Sequence, residues 1–302
     1  MHSSLRSLLI RKRSQLALVI GNGINRYGRA KDTNSWHKLL LGIAAEHLPA
    51  PLKKVPKGIS LTEFYDVLDL KANDGSESGT LQQEFCDRLA DWEPFDHHRS
   101  IVGWAKANRV PILTTNFDEV LSGAGECSLR RTVKGAFTAY YPWESYFGVE
   151  DLRSPTDGFG IWHINGLQRY RQSIRLGLGH YMGSVGRARD WIHNGDEEKL
   201  YSGKNVRGWR GSKSWLHIIF NRSLMIFGLA LEETEVFLRW LLLERARYYR
   251  RFPARRKEGW YLHPGDVMDP GKDFFLSGVG IKPKILDGYD EIYAQHVWGL
   301  AE

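Results

Sequence analysis

Leu16 to Tyr27 reads LALVIGNGINRY, and the fold is decided by how this stretch is read. Five apolar residues, Leu16 to Ile20, run into Gly21 and Gly23 and then into polar sequence. A short apolar run that ends in glycine has the pattern of a buried strand breaking into a tight turn. Glycines there allow positive φ and close approach of a ligand to the main chain. Open α/β sheets hold nucleotides at such turns, outside the carboxyl ends of their strands. GNGINRYG lacks the third glycine of GxGxxG, so the stretch by itself fits a structural turn as well as a nucleotide loop.

Further strands are expected at Val110 to Thr115, Gly160 to Ile164, Leu224 to Phe227, Trp260 to Leu262 and Lys284 to Leu286. Between the first two lies mostly helical sequence, about residues 37–108. Trp36, Leu39, Leu40, Ile43, Ala44 and Leu48 have helical spacing after the candidate caps Asn34 and Ser35. Ser60-Leu-Thr-Glu63 and Thr80-Leu-Gln-Gln83 are capping-box patterns, and a third helix is expected from His98 to Ala107. Thr138 to Phe147 reads as a loop with some extended structure, and helical pieces are expected after Tyr181. Trp215 to Phe220 reads as helical. A long amphipathic helix follows, its apolar face carrying Val236, Phe237, Trp240 and Leu241, and a final helix covers Tyr289 to Trp298. Strands alternating with helices give an α/β, Rossmann-like, mostly parallel sheet, with helices on both faces and a helical insertion, in one domain over residues 1–302.

Composition sets the class. The 302 residues are 42% hydrophobic and 25% charged, as in a globular domain. No apolar run approaches the ~20 residues of a membrane span. The N-terminal charges follow rather than precede a short apolar piece, the wrong order for a secretory signal, so the chain reads as cytoplasmic. Cys86 and Cys127 are the only cysteines, too few for a four-cysteine zinc module, although one bridge stays open. The formal charge of +7 favours an anionic ligand, nucleic acid or an acidic partner as much as it fits ordinary surface charge. Seven basic residues fall between Arg245 and Lys257, interleaved with aromatics. That stretch reads either as a solvated helix end or as a grip on nucleic acid. The eleven tryptophans read as core or interface anchors.

Four strand ends then carry polar sequence: GNGIN after Ile20, TTNFD after Leu113, HING after Trp162 and GLALEE after Phe227. In order and spacing these resemble the sirtuins, and most of all the bacterial sirtuin-like proteins of anti-phage defence, in which Thr-Thr-Asn-Phe/Tyr-Asp is a common second motif. Ser35-Trp36-His37-Lys38-Leu39-Leu40 fits the Ser-Trp-x-x-Leu-Leu helix of those relatives. The resemblance covers roughly Leu16 to Glu235. It implies NAD+ as substrate, bound by Gly21, Asn22, Gly23, Asn25, Thr115, Asn116, Asp118, Gly228 and Leu229. Asn116, Asp118 and His163 are the implied catalytic residues, with no metal. Asn22 and Asn25 replace the usual alanine and serine, and Gly228-Leu229-Ala230 lacks the hydroxyls of the usual late turn. Glu232 or Glu233 stands for an acidic residue seen after that turn. The four zinc cysteines of the deacylating sirtuins are missing, which disfavours a protein deacylase.

Each of these residues also has an ordinary reading. Asn116 and Asp118 can serve the N-terminus of the following helix. His163 can be a satisfied core residue, and His97, His98 and His180 read as structural or surface. The implied activity is an NAD+ glycohydrolase, the NAD-depleting effector of a defence complex. Its expected partners are further copies of the chain and a separately encoded translocase-type ATPase or Argonaute protein. The alternative is a non-catalytic module that senses NAD or ADP-ribose or scaffolds such an ATPase.

Overall fold

The computed structural model describes residues 4–29, 33–72, 80–133, 141–204, 207–265 and 267–299. Among them eight strands form one sheet: β1 (Leu16–Ile20), β2 (Ile112–Thr114), β3 (Ser128–Arg131), β4 (Ser145–Gly148), β5 (Ile161–His163), β6 (Ser223–Phe227), β7 (Gly259–Pro264) and β8 (Lys282–Leu286). The order is β3-β4-β5-β2-β1-β6-β7-β8. β5 through β8 in that order are parallel, and β3 and β4 add an antiparallel edge. Counting only the parallel strands, their spatial order is 3-2-1-4-5-6, that of a doubly wound dinucleotide-binding sheet. Chain direction reverses between β1 and β6, so the switch point falls at the glycine turn.

The central strands are buried on both faces, which is why Leu16–Ile20 and, after Ser223, residues 224–227 are apolar runs. Alternation sends Ala17 and Val19 into one core, and Leu16, Leu18 and Ile20 into the other. Helices α1 (Leu5–Lys12), α2 (Gly23–Arg26), α3 (Trp36–His47), α4 (Leu61–Ala72), α5 (Thr80–Leu89), α6 (Asp96–Ala107) and α7 (Val120–Ala124) precede the switch back across the sheet. Then come α8 (Leu178–His193), α9 (Leu216–Asn221), α10 (Val236–Arg251), α11 (Pro270–Gly278), α12 (Asp290–Tyr293) and α13 (Gln295–Trp298). Residues of α8 to α11 cover the Val19 face, and those of α1, α6, α12 and α13 cover the Leu18 face.

The helical insertion is real but shorter than its sequence suggests. α3, α4 and α5 share a core of their own around Phe64, Phe85 and Phe117, whereas α6 packs on the sheet as a crossover helix. Ser60 and Glu63 make the expected reciprocal capping box at α4, with Ser60 N–H donating to Glu63 Oε2 at 2.7 Å and Glu63 N–H to Ser60 Oγ at 3.2 Å. No side-chain cap forms at α3: Ser35 makes no such bond, and Asn34 takes φ +54°. The Thr80 box borders residues outside those described.

Other boundaries shift for physical reasons. β2 is only Ile112–Thr114: Val110 N–H turns back to Ala105 O, Pro111 has no N–H for the ladder, and Thr115 makes just the last bond across to Ile20 O. Of the expected loop at Thr138 to Phe147, residues 138–140 lie outside the described set and Ser145 to Phe147 belong to β4, paired with β3. α8 opens at Leu178, before Tyr181. Val236 is exposed at the start of α10, whose buried face uses Phe237, Leu238, Leu241 and Leu242 instead. The final helix is two short ones, broken at Ala294, whose ψ of 141° is extended.

The basic stretch divides: Arg247, Arg250, Arg251 and Arg256 are exposed, as a solvated helix end would be, whereas Arg245 and Arg255 are spent internally. Arg245 is 1% exposed and donates to the carbonyls of Ile219, Arg222, Lys257 and Glu258, tying α9 to the starts of β6 and β7. Arg255 donates to Tyr248 and Gly203. Cys86 and Cys127 are free thiols, so the bridge left open by the sequence is not made. No helix among the described residues is long and apolar enough to cross a membrane.

Candidate functional site

The strand register brings the four polar turns to one level. Ile20 pairs with Thr114 and with Phe227, and Thr114 with His163, so the residues that follow emerge together at the carboxyl edge. The turns after β1 and β6 are locked to each other. Gly21 N–H donates to Phe227 O at 3.0 Å and Gly23 N–H to Gly228 O at 2.6 Å. A Cβ on Gly21 would stand 2.3 Å from Leu229 Cβ, and one on Gly23 would stand 2.8 Å from Gly228 Cα. The close approach these glycines permit is therefore made by the neighbouring turn of the same chain. Gly228 itself has φ +71°, the left-handed region that suits glycine.

A cavity of about 500 Å³ lies along this edge, lined from every parallel strand end from β5 to β7. Four strand spacings make that a crevice about 19 Å long. Asn22, Gly23, Thr115, Gly228 and Leu229 line it, as do Phe117 and Asn165. Gly21, Asn25, Asn116, Asp118 and His163 do not; the structure places them in the adjoining wall. The sequence reading thus gathered one cluster, half of which faces the cavity and half of which is closed behind it.

The buried half is a directed hydrogen-bond network. Phe95 N–H donates to His98 Nδ1 at 3.1 Å, so the proton of this neutral ring is on Nε2, which donates to Asn25 Oδ1 at 3.0 Å. Asn25 Nδ2 donates to Asp118 Oδ2 and to Asn22 Oδ1, both at 2.9 Å. Asn22 Nδ2 donates to Asn34 O at 2.7 Å, and Val120 N–H to Asp118 Oδ1 at 3.1 Å. Asp118 rather than Asn116 serves the start of α7. Burial pushes the Asp118 carboxyl up to about 6, against the pull of those two donors, so it is mostly ionised at pH 7. Burial lowers His98 to about 3 and keeps it neutral.

Two residues stand outside this satisfied network. His163 Nδ1 donates to Asn116 O at 2.9 Å. A carbonyl only accepts, so the proton is on Nδ1 and Nε2 is a bare lone pair. That Nε2 is buried without a protein partner, and so are both Asn116 amide atoms, Oδ1 and Nδ2. Burial lowers His163 to about 4, so at neutral pH it accepts hydrogen bonds without carrying charge. The pair offers a donor and two acceptors, a set that matches a carboxamide and a hydroxyl.

Several lining residues gave no sequence signal. Tyr261, Tyr289 and Tyr293 form an aromatic wall, and the buried Tyr293 hydroxyl has no protein partner. Arg26, Arg175 and Lys272 bring positive charge. Glu232 and Glu235 line the cavity, whereas Glu233 does not. Burial in the crevice, with Glu232 nearby, raises Glu235 to about 7. His98 could have been noticed as the third helical residue after Phe95, where a side-chain acceptor reaches back to the N-cap N–H. Among the described residues no group of three or more His, Cys, Asp or Glu is placed to hold a metal ion. No protein-family model matches the chain, and no curated protein matches it significantly.

Proposed function

We propose that the chain is an NAD+ glycohydrolase of sirtuin-like type, converting NAD+ and water to nicotinamide, ADP-ribose and a proton. The observation that carries this reading is the pairing of an elongated crevice across the β1/β6 switch point with the orphaned Asn116 amide and His163 Nε2 in its wall. Dinucleotides lie across such a switch point. The pyrophosphate suits the Asn22-Gly23 turn and the cations Arg26 and Lys272, and the tyrosine wall suits the purine.

Cleavage of the nicotinamide–ribose bond leaves oxocarbenium character on the sugar while a neutral base departs. The Asn116 amide holds the carboxamide or the attacking water, and His163 Nε2 accepts from a ribose hydroxyl or that water. The Asp118 charge favours the cationic transition state from within the wall. The defence role, control by further copies of the chain and a separately encoded ATPase or Argonaute partner belong to the same proposal. The deciding experiment is incubation with NAD+, alone and with genomic neighbours, followed by chromatography. Nicotinamide and ADP-ribose in equal amounts support the reading, and unchanged NAD+ under every condition overturns it.

One observation favours the second reading, a sensor of NAD or ADP-ribose. Asn116 and His163 are buried in the cavity wall rather than lining the cavity. Calorimetric NAD+ binding without turnover would select it.

A further inference from the structure

We propose that His98 is a positioning residue of this site: through Nε2 it fixes the Asn25 amide, and Asn25 in turn holds Asp118 and Asn22 in place. The inference rests on the NAD+ reading for its catalytic consequence, but the relay itself is a matter of bonds.

Each link admits one direction. Phe95 N–H can only donate, so His98 Nδ1 accepts and Nε2 carries the proton. Asn25 must then face His98 with its carbonyl oxygen and turn its two N–H bonds toward Asp118 Oδ2 and Asn22 Oδ1. Flipping that amide would set oxygen against both of those oxygens and N–H against N–H at His98. The rotamer of Asn25 is therefore written by a residue 73 positions away, on α6. Asn22 lines the cavity and Asp118 lies in its wall, so one imidazole governs a surface group and a buried charge together.

Helix capping does not account for this. His98 accepts the N–H of Phe95 at the start of α6, and His180 accepts that of Gly177 at the start of α8 in the same manner. A cap needs only Nδ1, and glutamate or glutamine serves it as well. The bond from Nε2 to Asn25 is the part that a cap leaves unexplained. The neighbouring His97 is used differently, bonding the Ile24 carbonyl at 2.8 Å.

The test separates cap from relay with three variants. His98→Gln keeps an acceptor for Phe95 and a donor for Asn25. His98→Glu keeps the cap but presents an acceptor to Asn25, and His98→Phe loses both bonds. His180→Phe is the control for losing such a cap elsewhere, together with the 3.4 Å contact of His180 Nε2 with Gln82. Two readouts are taken on each folded variant: kcat and KM for nicotinamide release, and the NMR titration of the Asp118 carboxyl carbon. The charged and titratable groups around the relay stay constant in the Gln and Phe variants: Glu119 paired with Arg169 beside Asp118, and Arg29, Arg99 and the buried His97 around His98.

The Phe and Glu variants should lose kcat/KM by roughly 10²-fold, kcat falling through Asp118 and KM rising through Asn22, the scale of a misplaced site. His98→Gln should restore most of it, and His180→Phe should leave kcat alone. The Asp118 midpoint should move upward in His98→Phe and return in His98→Gln. Wild-type kcat and an unmoved midpoint in His98→Phe overturn the proposal, as does a Gln variant no better than Phe. If none of the three folds, His98 is a fold residue and the positioning role is lost. If the wild type never releases nicotinamide, the glycohydrolase reading falls while the midpoint still decides the relay.

Discussion

Replacing Asn116 with alanine separates a functional amide from a structural one, because the two predict stability changes of opposite sign. Asn116 is 1% exposed, and neither its Oδ1 nor its Nδ2 has a protein partner. A buried polar group left unpaired costs up to about 1–3 kcal/mol, so an amide with no protein partner contributes nothing to the ligand-free fold and burdens it wherever water does not serve it. Truncation to alanine relieves that burden and opens a small hole, which costs about 1–2 kcal/mol. The net expectation for Asn116→Ala is a ligand-free protein as stable as wild type or more so. Each 1 kcal/mol gained raises Tm by about 2 °C for a chain of this size. Nicotinamide release should fall by at least ~10²-fold, while NAD+ still binds through the rest of the crevice. Had Asn116 been a helix cap, the same change would cost about 1 kcal/mol and leave turnover in the surviving folded fraction intact. Melting, calorimetric binding and product chromatography on one sample decide between them. A lower Tm together with preserved turnover would refute the reasoning.

Three further outcomes are expected. Gly23→Ala should lower stability by about 1–3 kcal/mol, since the new Cβ meets Gly228 backbone at 2.8 Å and must part the two turns; a wild-type Tm would show that the turns are not locked. Arg245→Met should cost about 3 kcal/mol or more by taking the guanidinium from the carbonyls of Ile219, Arg222, Lys257 and Glu258, of which Glu258 keeps Leu224 N–H; urea unfolding measures it, and a loss under 1 kcal/mol would contradict the assignment. Stability should also fall between pH 7 and pH 5. His98, His163 and His217 have folded values of about 3, 4 and 4, below the usual 6.5, so the unfolded chain binds more protons in that window. Asp118 and Glu235, raised to about 6 and 7, act in the opposite sense, losing stability as pH rises through the same range. Three histidines outweigh two carboxyls, and His217→Gln should flatten the slope; a protein more stable at pH 5 than at pH 7 would reverse the argument.

The legible parts of the fold were those where one physical demand dominates a short stretch. A parallel strand covered on both faces must be apolar throughout, and Leu16–Ile20 and residues 224–227 announce themselves in that way. β3 obeys a different demand. It is an edge strand, Ser128-Leu-Arg-Arg, with no residue fully buried, so neither alternation nor an apolar run marks it. The break at Ala294 leaves no mark either, because no glycine or proline produces it. In the candidate site, position was readable where a residue follows a strand end, as with Asn116, Asp118 and His163. It was hidden where the residue arrives from another element. His98 reaches Asn25 across the fold, and Tyr289 and Tyr293 reach the crevice from the far end of the chain. Sequence spacing carries no information about such meetings.

Why a helical segment should stand between β1 and β2 has a physical answer in the glycine turn. Gly21 and Gly23 let the β6 turn press against the β1 turn, and behind the paired turns Asn25 and Asp118 are 1% and 2% exposed. Buried polar groups of this kind must be paired from within the protein. The sheet has none to spare, since its strand-end amides are already committed across the ladder. α6 supplies the missing partners, His97 to the Ile24 carbonyl and His98 to Asn25. The same pairing makes the exceptions informative. Three of the eight orphaned buried side-chain atoms among the described residues belong to Asn116 and His163, which touch each other through a 2.9 Å bond. A packing fault would have no reason to gather there, one step from a network in which Asn25 uses both its amide hydrogens and its oxygen. Asn116 and His163 are left without protein partners beside a crevice whose other polar groups are held in place, and that contrast is what supports giving them a ligand in the proposed glycohydrolase.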